Sequence, residues 1–343
     1  MMLGFVILSH ENPQQLARLV AALNRVYGNP PIACHHDTTQ SPLDPGAFPA
    51  NVAFVTPAIR TSWGKFSVVR ATLAALEILY DRADPDWFVL LSAADYPVAR
   101  AEEVHAALAA SGADALLDYR PIGADAAAAA RLFGPINPAL THFETSPNRE
   151  MLRGRYTGAQ LWLPMLRHDG PGGARLGRHT ITLPFESPGH PFSEDYRCHY
   201  GDHWFSGSRK AAQALLVPND RDLRLRRYLR WRASADECYY QSVLCNRPDL
   251  TLQRDNRRYA QWNGGGAHPA VLGAADLDAM LASGAHFARK FRHAHPVLDL
   301  IDERLLKSPS RTRVAPLRDP FRTDPTSGRV AGRRPVADDA PGN

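Results

Sequence analysis

The sequence predicts an α/β protein: a mainly parallel sheet with helices on both faces. Three observations carry that prediction. Short apolar runs alternate with amphipathic helical patterns through the first 120 residues, and such alternation builds parallel sheets covered on both sides. Proline, glycine or small polar residues bound the runs, as they do buried strands. One run, DWFVLLSAADYPV from Asp86 to Val98, ends on a single acid, Asp95. Ligands in such sheets bind beyond the carboxyl ends of the strands, so Asp95 is well sited for chemistry. The chain also has an acid-x-acid triplet, Asp84-Pro-Asp86, but at the amino end of the same predicted strand.

The first predicted strand is residues 3–8. The stretch around it, MMLGFVILSHENP, lacks the basic start and cleavage site of a signal peptide. Pro13 opens a predicted helix through residue 24, with Leu16, Leu19, Val20 and Leu23 on its apolar face; proline suits a first turn because its missing N–H would be unpaired there. Strands are expected at 31–34, 52–55, 87–91 and 113–117, and helices at 67–80 and 101–110. From Gly123 to His190 the pattern decays. The alanines at 126–130 predict a helix, while Gly170-Pro-Gly-Gly173, Gly264-Gly-Gly266 and the prolines at 184, 188 and 191 predict loops. Order returns at 203–216 and in helices expected at 235–245, 274–281 and 296–306. Beyond Ser308 the chain is rich in Arg, Pro, Asp and Gly, and disorder is expected.

The 343 residues are 44% hydrophobic and 22% charged, the composition of a soluble globular protein. A net charge of +5 suits anionic ligands, but much of it lies in the tail, and it does not argue for nucleic acid. Cys34, Cys198, Cys238 and Cys245 form no CxxC pair, so reduced thiols in a cytoplasmic protein are expected. No run approaches the ~20 apolar residues of a membrane span. The expectation is a soluble protein with at most peripheral membrane contact.

Neither GxGxxG nor a P-loop is present, which argues against a standard dinucleotide or NTPase site. His190, Glu194, Asp195, His199, Asp202 and His203 form a crowd of potential metal ligands, but their spacing does not match metal sites and no bound metal is expected. Ser234-Ala-Asp-Glu237 precedes an apolar helix and has capping-box spacing. A carboxylate at a helix start can also serve as a general base, and the two roles are compatible. Arg221–Arg232 is intensely basic, which fits a solvated helix face better than an anion site. Phe287-Ala-Arg-Lys-Phe291 sets two cations between aromatics and could clamp a diphosphate.

Taken in order, Ile7-Leu-Ser-His10, Cys34-His-His-Asp37, Ser62-Trp-Gly64, Leu90-Leu-Ser-Ala-Ala-Asp-Tyr-Pro97, Tyr200-Gly-Asp-His-Trp204, Ala235-Asp-Glu237, Gln261-Trp262 and Phe287-Ala-Arg-Lys-Phe291 resemble glycosyltransferase family 14. That family comprises the core-2/I-branching β-1,6-N-acetylglucosaminyltransferases and peptide O-xylosyltransferases. The resemblance spans residues 3–300 and implies a GT-A fold, an inverting transfer from a UDP-sugar, and no cofactor or catalytic metal. It implies one catalytic domain over 1–306, with a nucleotide-binding half (1–120) and an acceptor-binding, catalytic half (121–306), ahead of a tail (307–343). By the resemblance, Glu237 is the general base. His10, His36, Asp37, Trp63, Asp95, Arg289 and Lys290 face the UDP-sugar, and Trp204, Asp236 and Trp262 face the acceptor. GlcNAc is the first expected donor sugar and xylose the second. The expected acceptor is a saccharide or glycolipid of a surface-polysaccharide or glycolipid pathway. The chain departs from the family in one place: the arginine that grips the diphosphate would fall near Ala267-His268-Pro269, leaving Arg289, Arg257, Arg258 and His268 as substitutes. The departure keeps a rival reading open, a catalytically inactive sugar-nucleotide or glycan binder of the same fold. A nucleic-acid binder resting on Arg221–Arg232 is a more distant reading.

Overall fold

The computed structural model describes residues 1–122, 146–168, 174–262 and 268–306. The alanine run at 126–130, the glycine stretches at 170–173 and 264–266 and the tail from 307 fall outside them. In chain order the elements are β1 (Leu3–Ser9), α1 (Pro13–Tyr27), β2 (Ile32–His36), β3 (Val52–Phe54), α2 (Phe66–Arg82), β4 (Trp87–Ser92), β5 (Asp95–Pro97), α3 (Ala101–Ala110), β6 (Ala115–Leu116), β7 (Arg120–Pro121), α4 (Ser146–Tyr156), β8 (Gly158–His168), β9 (Ala174–Glu186), β10 (His199–Tyr200), β11 (Ser206–Ser208), α5 (Arg209–Leu216), α6 (Asp220–Leu229), α7 (Asp236–Cys245), β12 (Leu252–Gln253), β13 (Arg258–Ala260), α8 (Leu277–Ala282), β14 (Phe287–Arg289) and α9 (Val297–Leu306).

The main sheet has seven strands in the order β12-β6-β11-β4-β1-β2-β3. All run parallel except β11, which is antiparallel to β4 and β6. This mostly parallel sheet, covered on both faces, is that of a GT-A-like fold. Strand alternation divides the core. Phe5, Ile7, Val89 and Leu91 face one cluster with Leu16, Leu19, Phe287 and Ile301. Val6, Phe88 and Leu90 face another with Val69, Leu76, Phe205, Tyr239 and Tyr240. α1 starts as its sequence suggests: the Asn12 side chain accepts from Gln15 N, Pro13 occupies the first turn, and Gly28 ends the helix at φ 68°.

The structure differs from the sequence expectation most in two places. A three-residue strand, β5, begins two residues after β4 and joins β14 and β13 in a second small sheet, with Asp95 opposite Arg289. The region expected to be loops also contains α4 and the β8–β9 hairpin. Pro184 and Gly158 lie where that hairpin's register shifts, the kind of irregularity that tolerates proline in a strand.

β10 packs on α7 through Gly201, whose N–H donates to Glu237 O at 2.9 Å. A Cβ on Gly201 would overlap the backbone carbonyl of Asp118, which cannot swing away as a side chain can. Gly201→Ala is therefore expected to cost about 3 kcal/mol or more by overpacking, read as a lowered urea midpoint at unchanged slope.

Candidate active site

The carboxyl ends of β1, β2 and β4 gather the first group of predicted residues. Asp37, one residue beyond β2, has no exposed surface. Its carboxylate accepts from Thr39 N (3.1 Å) and Oγ1 (2.7 Å), Gln40 Nε2 (2.6 Å), and Thr61 N (2.7 Å) and Oγ1 (2.8 Å). Burial opposes its ionisation, but these donors outweigh burial and hold the carboxyl well below the usual range. His36 is buried and engaged at both nitrogens, by Ser9 Oγ at 3.0 Å and Ser41 O at 2.8 Å. His35 Nε2 accepts from Ile59 N at 3.0 Å, and burial lowers its pKa. His35 and Asp37 thus tie down the segment leading to Trp63. His10 is exposed just past β1.

The second group centres on Asp95, which has no exposed surface. It accepts from Ser92 N at 3.0 Å and Ser92 Oγ at 2.8 Å. Arg289 Nε forms an ion pair with its Oδ1 at 3.2 Å. The Arg289 guanidinium lies 4.6 Å from the Trp204 ring centre, and His203 stacks on that ring at 4.4 Å, only 3° from parallel. His203 Nδ1 in turn meets Asp236 Oδ2 at 3.0 Å. Asp95, Arg289, Trp204, His203 and Asp236 form one continuous chain of contacts reaching the start of α7. Lys290 follows Arg289, and its carbonyl accepts from Leu272 N.

Glu237 is the second residue of α7. Its side chain keeps 37% of its surface exposed, so a ligand can reach it, and Arg155 Nη1 lies 3.7 Å from Oε2. The protein around it still removes enough water that burial pushes the carboxyl up to about 8. The charge of Asp236 adds to this rise, Arg155 opposes it, Asp202 adds, and a hydrogen bond with Ser234 opposes. Asp202 is itself shifted up by burial, against the pull of Arg289. A carboxyl poised near neutrality in reach of a ligand has the properties of a general base.

The capping box expected at Ser234-Ala-Asp-Glu237 does not form. Ala235 occupies the cap position without a side-chain hydrogen bond, and Ser234 sits at φ 50°. Ser234 Oγ instead accepts from Arg155 Nη1 at 3.1 Å, and its carbonyl accepts from Tyr156 OH at 2.8 Å. The same loop is held from the other side, where Ala235 N donates to Gly64 O at 3.3 Å. Trp63, beside Gly64, is 69% exposed and meets His268 edge-on at 5.5 Å. Trp204 is only 8% exposed, so the structure places it under the site as a platform for Arg289. Trp262 is half-buried next to Gln261, whose amide donates to Asp276 Oδ1.

Two of the four substitutes for the family arginine are engaged elsewhere. Arg258 is buried and donates to the carbonyls of Asn256, Leu90 and Phe205; burial lowers its pKa to about 10. Arg257 pairs with Asp255 at 3.0 Å and donates to Gly284 O. Arg289 and His268 lie beside predicted site residues. The crowd from His190 to His203 disperses. His190 pairs with Glu186 at 3.5 Å, Asp202 accepts from Asn256 at 2.8 Å, His203 meets Asp236, and Glu194 and Asp195 are exposed. No group of three or more His, Cys, Asp or Glu is arranged to hold a metal among the described residues. Arg209 bridges Asp84 (2.9 Å) and Asp86 (3.4 Å) at the amino end of β4. The basic run splits: Arg226 and Arg232 turn inward to Tyr239 OH and Gly158 O, while Arg224, Arg227 and Arg230 face solvent.

Sequence reasoning missed Arg155 and the part His203 plays. Arg155 lies in a stretch without a readable pattern. His203 was legible only as one potential ligand among several.

The mostly parallel sheet, with acids, an arginine and a lysine gathered near its carboxyl edge, is that of a GT-A-like fold. The family model described as Core-2/I-Branching enzyme matches residues 4–126 and 153–282, and the chain belongs to that family. It is 41% identical over 76 residues to Beta-glucuronosyltransferase GlcAT14A of Arabidopsis thaliana, covering 21% of this chain and 17% of that protein. The figures for Beta-glucuronosyltransferase GlcAT14B of the same plant are 41%, 21% and 18%. The chain thus spans less than a fifth of either relative's length. Among the described residues no helix is long and apolar enough to cross a membrane.

Because the folded-state pKa of Glu237 lies above the ordinary ~4.3, its contribution to stability is complete below that value. It is lost as pH rises through about 8. Glu237→Gln carries no such titration. Its urea-unfolding midpoint should gain on the parent's between about pH 4.3 and pH 8, and the gap should stay constant above that.

Proposed function

We propose that this protein is an inverting glycosyltransferase that moves a sugar from a UDP-sugar to a saccharide hydroxyl, with Glu237 as general base. The observation that carries the reading is a reachable carboxylate, shifted toward neutrality, at the start of a helix, with the Arg155 guanidinium 3.7 Å away. The acceptor hydroxyl attacks the anomeric carbon from the face opposite UDP, and Glu237 takes its proton as the new glycosidic bond forms. The C–O bond to UDP breaks, and the charge growing on the diphosphate is met by Lys290, with Arg289 beside it. Asp37 and His36, buried and fully engaged, order the loops at the uridine end, and the exposed His10 lines it. Trp63 and Trp262 flank the sugars, and Asp236 lies on the acceptor side.

The transfer is proposed to be metal-independent. The acid at the carboxyl end of β4 is engaged by Ser92 and Arg289, so its charge balances a guanidinium rather than a metal ion. Activity unchanged by EDTA is the expected result, and an absolute need for Mn²⁺ would contradict it. Family resemblance favours GlcNAc as donor sugar, then xylose; the names of the plant relatives add glucuronate to the panel to be tested.

Glu237→Gln should lower transfer by on the order of 10²–10⁴ while calorimetric UDP affinity stays within a few-fold of the parent. Parent-like turnover by this variant would sink the assignment, and an inert parent across the donor panel would favour a sugar-nucleotide-binding role. The base acts when ionised, so kcat/KM should rise with pH to a plateau above about 8. Asp236→Asn removes a neighbouring negative charge and should move that limb to lower pH. Arg155→Gln should move it higher.

A further inference from the structure

On the side of α4 away from Glu237 the surface opens into a cavity of about 180 Å³. Residues two apart on a helix point to nearly opposite faces, and residues four apart share one. Arg155 faces Ser234 and Glu237, whereas Arg153 and Thr157 line the cavity. Glu186, His190, Phe192 and Arg197 line it too, with the buried Cys198. Cys198 Sγ is 3.8 Å from the Sγ of Cys238, the residue after Glu237, so one buried layer separates the cavity from the helix that carries the proposed base. The cavity is smaller than the ~300–1,000 Å³ of sites for drug-sized ligands, a size that suits one ring rather than a nucleotide.

Hydrogen bonds from outside the cavity fix its lining. Arg153 O accepts from Thr157 N at 2.8 Å and from Thr157 Oγ1 at 3.0 Å, and Thr157 O accepts from Ser187 N at 2.8 Å. Asn246 clasps the Arg197 backbone: its Oδ1 accepts from the N–H at 2.8 Å, and its Nδ2 donates to the carbonyl at 2.7 Å. Phe192 N donates to His190 Nδ1 at 3.2 Å. A backbone N–H can only donate, so the ring hydrogen of His190 lies on Nε2, which faces Glu186 Oε2 at 3.5 Å. The His190 ring lies 6.0 Å from that of Phe192 and 27° from parallel.

Charge decides the ligand. Glu186 is shared between His190 and Arg153, which lies 3.2 Å from its Oε1. Arg197 makes no ion pair among the described residues; its Nε donates to Glu194 O at 3.4 Å. With a neutral imidazole, the lining thus carries one positive charge in excess. Arg153 and Glu186 are both exposed, and such surface pairs contribute little, so Arg153 can turn to a ligand at small cost. A guanidinium fork matches a carboxylate in shape as well as charge. Glu186 and the Ser193 hydroxyl are left for ligand hydroxyls, and the negative face of the Phe192 ring suits the C–H side of a saturated ring.

We propose that this cavity binds a carboxylate-bearing sugar, with Arg197 and Arg153 on the carboxylate, Glu186 on a hydroxyl and the ring packed on Phe192. In the transfer reaction such a unit would belong to the acceptor chain, across α4 from the reacting hydroxyl. That role rests on the glycosyltransferase reading; the binding does not.

The test is calorimetric titration of the full chain with methyl β-glucuronide, methyl β-glucoside and inorganic phosphate, with and without UDP. The glucuronide should bind about tenfold or more tightly than the glucoside, whose ring has a hydroxymethyl in place of the carboxylate. UDP should not change its affinity. Arg197→Gln and Arg153→Gln should each weaken it about tenfold, with UDP affinity and the urea midpoint unchanged. No binding of the glucuronide, equal affinity for the glucoside, or binding that neither variant weakens would overturn the proposal. Displacement by UDP would also overturn it, by placing the glucuronide in the transfer site. Displacement by phosphate at equal concentration would do the same, by reducing the cavity to a site for a bare anion. Glu237→Gln should leave glucuronide affinity unchanged, so a parent inert toward every donor would sink the transferase reading and leave this site standing.

Discussion

The ion pair between Asp95 and Arg289 is the joint on which the site depends. Asp95 is fully buried and Arg289 nearly so, so neither can be removed without leaving an uncompensated charge, a loss of roughly 3–5 kcal/mol for pairs of this kind. The net stability such a pair adds over apolar packing is small; its value lies in geometry. Asp95 is held by the backbone and hydroxyl of Ser92 at the end of β4, and Arg289 is paired with it in strand register. The pair therefore locks the small β5–β14–β13 sheet to the carboxyl edge of the main sheet. Lys290 is positioned because it follows Arg289, and Trp204 because the guanidinium lies over its ring.

From Trp204 the constraint passes through His203 to Asp236, and there two electrostatic effects compete at Glu237. The first turn of a helix favours an anion by about 0.3–1 kcal/mol, less than the 1.36 kcal/mol of a single pKa unit. Burial and the adjacent Asp236 act the other way and prevail, so the carboxyl is raised despite its helix position. Arg155 limits the rise from 3.7 Å away. Proximity without a close contact suits a base: a tight bidentate pair would hold the carboxylate ionised and engaged, whereas a more distant cation leaves its lone pairs free for a hydroxyl.

Much of the scaffold was legible in the chain. The alternation of apolar runs predicted the β1, α1, β2, α2 and β4 order, because burial on both sheet faces leaves a local signature. The lone acid after β4 and the Asp-Glu pair before an apolar helix marked Asp95 and Glu237. What escaped was set by long-range contacts. β5 is three residues long and pairs with a strand almost 200 positions away, so no local periodicity announces it. The hairpin was hidden because proline, glycine and outward-facing leucines break the pattern that marks a half-buried strand. Ser234 looked like a helix cap because its spacing was right. Arg155, from a helix about 80 residues earlier, takes the hydroxyl that capping would have used.

The two ends of the site are also joined by a single loop. Thr61 donates twice to Asp37, and three residues later the carbonyl of Gly64, at φ 66°, accepts from Ala235, two residues before Glu237. Gly64 lies close to Ser234, where a Cβ would come within 3.4 Å of its backbone nitrogen; the left-handed conformation and the close approach both favour glycine. Displacing Asp37 would move this loop, and with it the cap of α7. Asp37 and the proposed base are thus linked through fewer than ten residues of chain, while the Asp95–Arg289 joint ties the start of α7 to the carboxyl edge of the main sheet beneath the site. Two independent tethers restrict their separation far more than either alone. That restriction is what an in-line displacement requires, because a misplacement of about 1 Å between nucleophile and leaving group can cost as much as 10²-fold in rate.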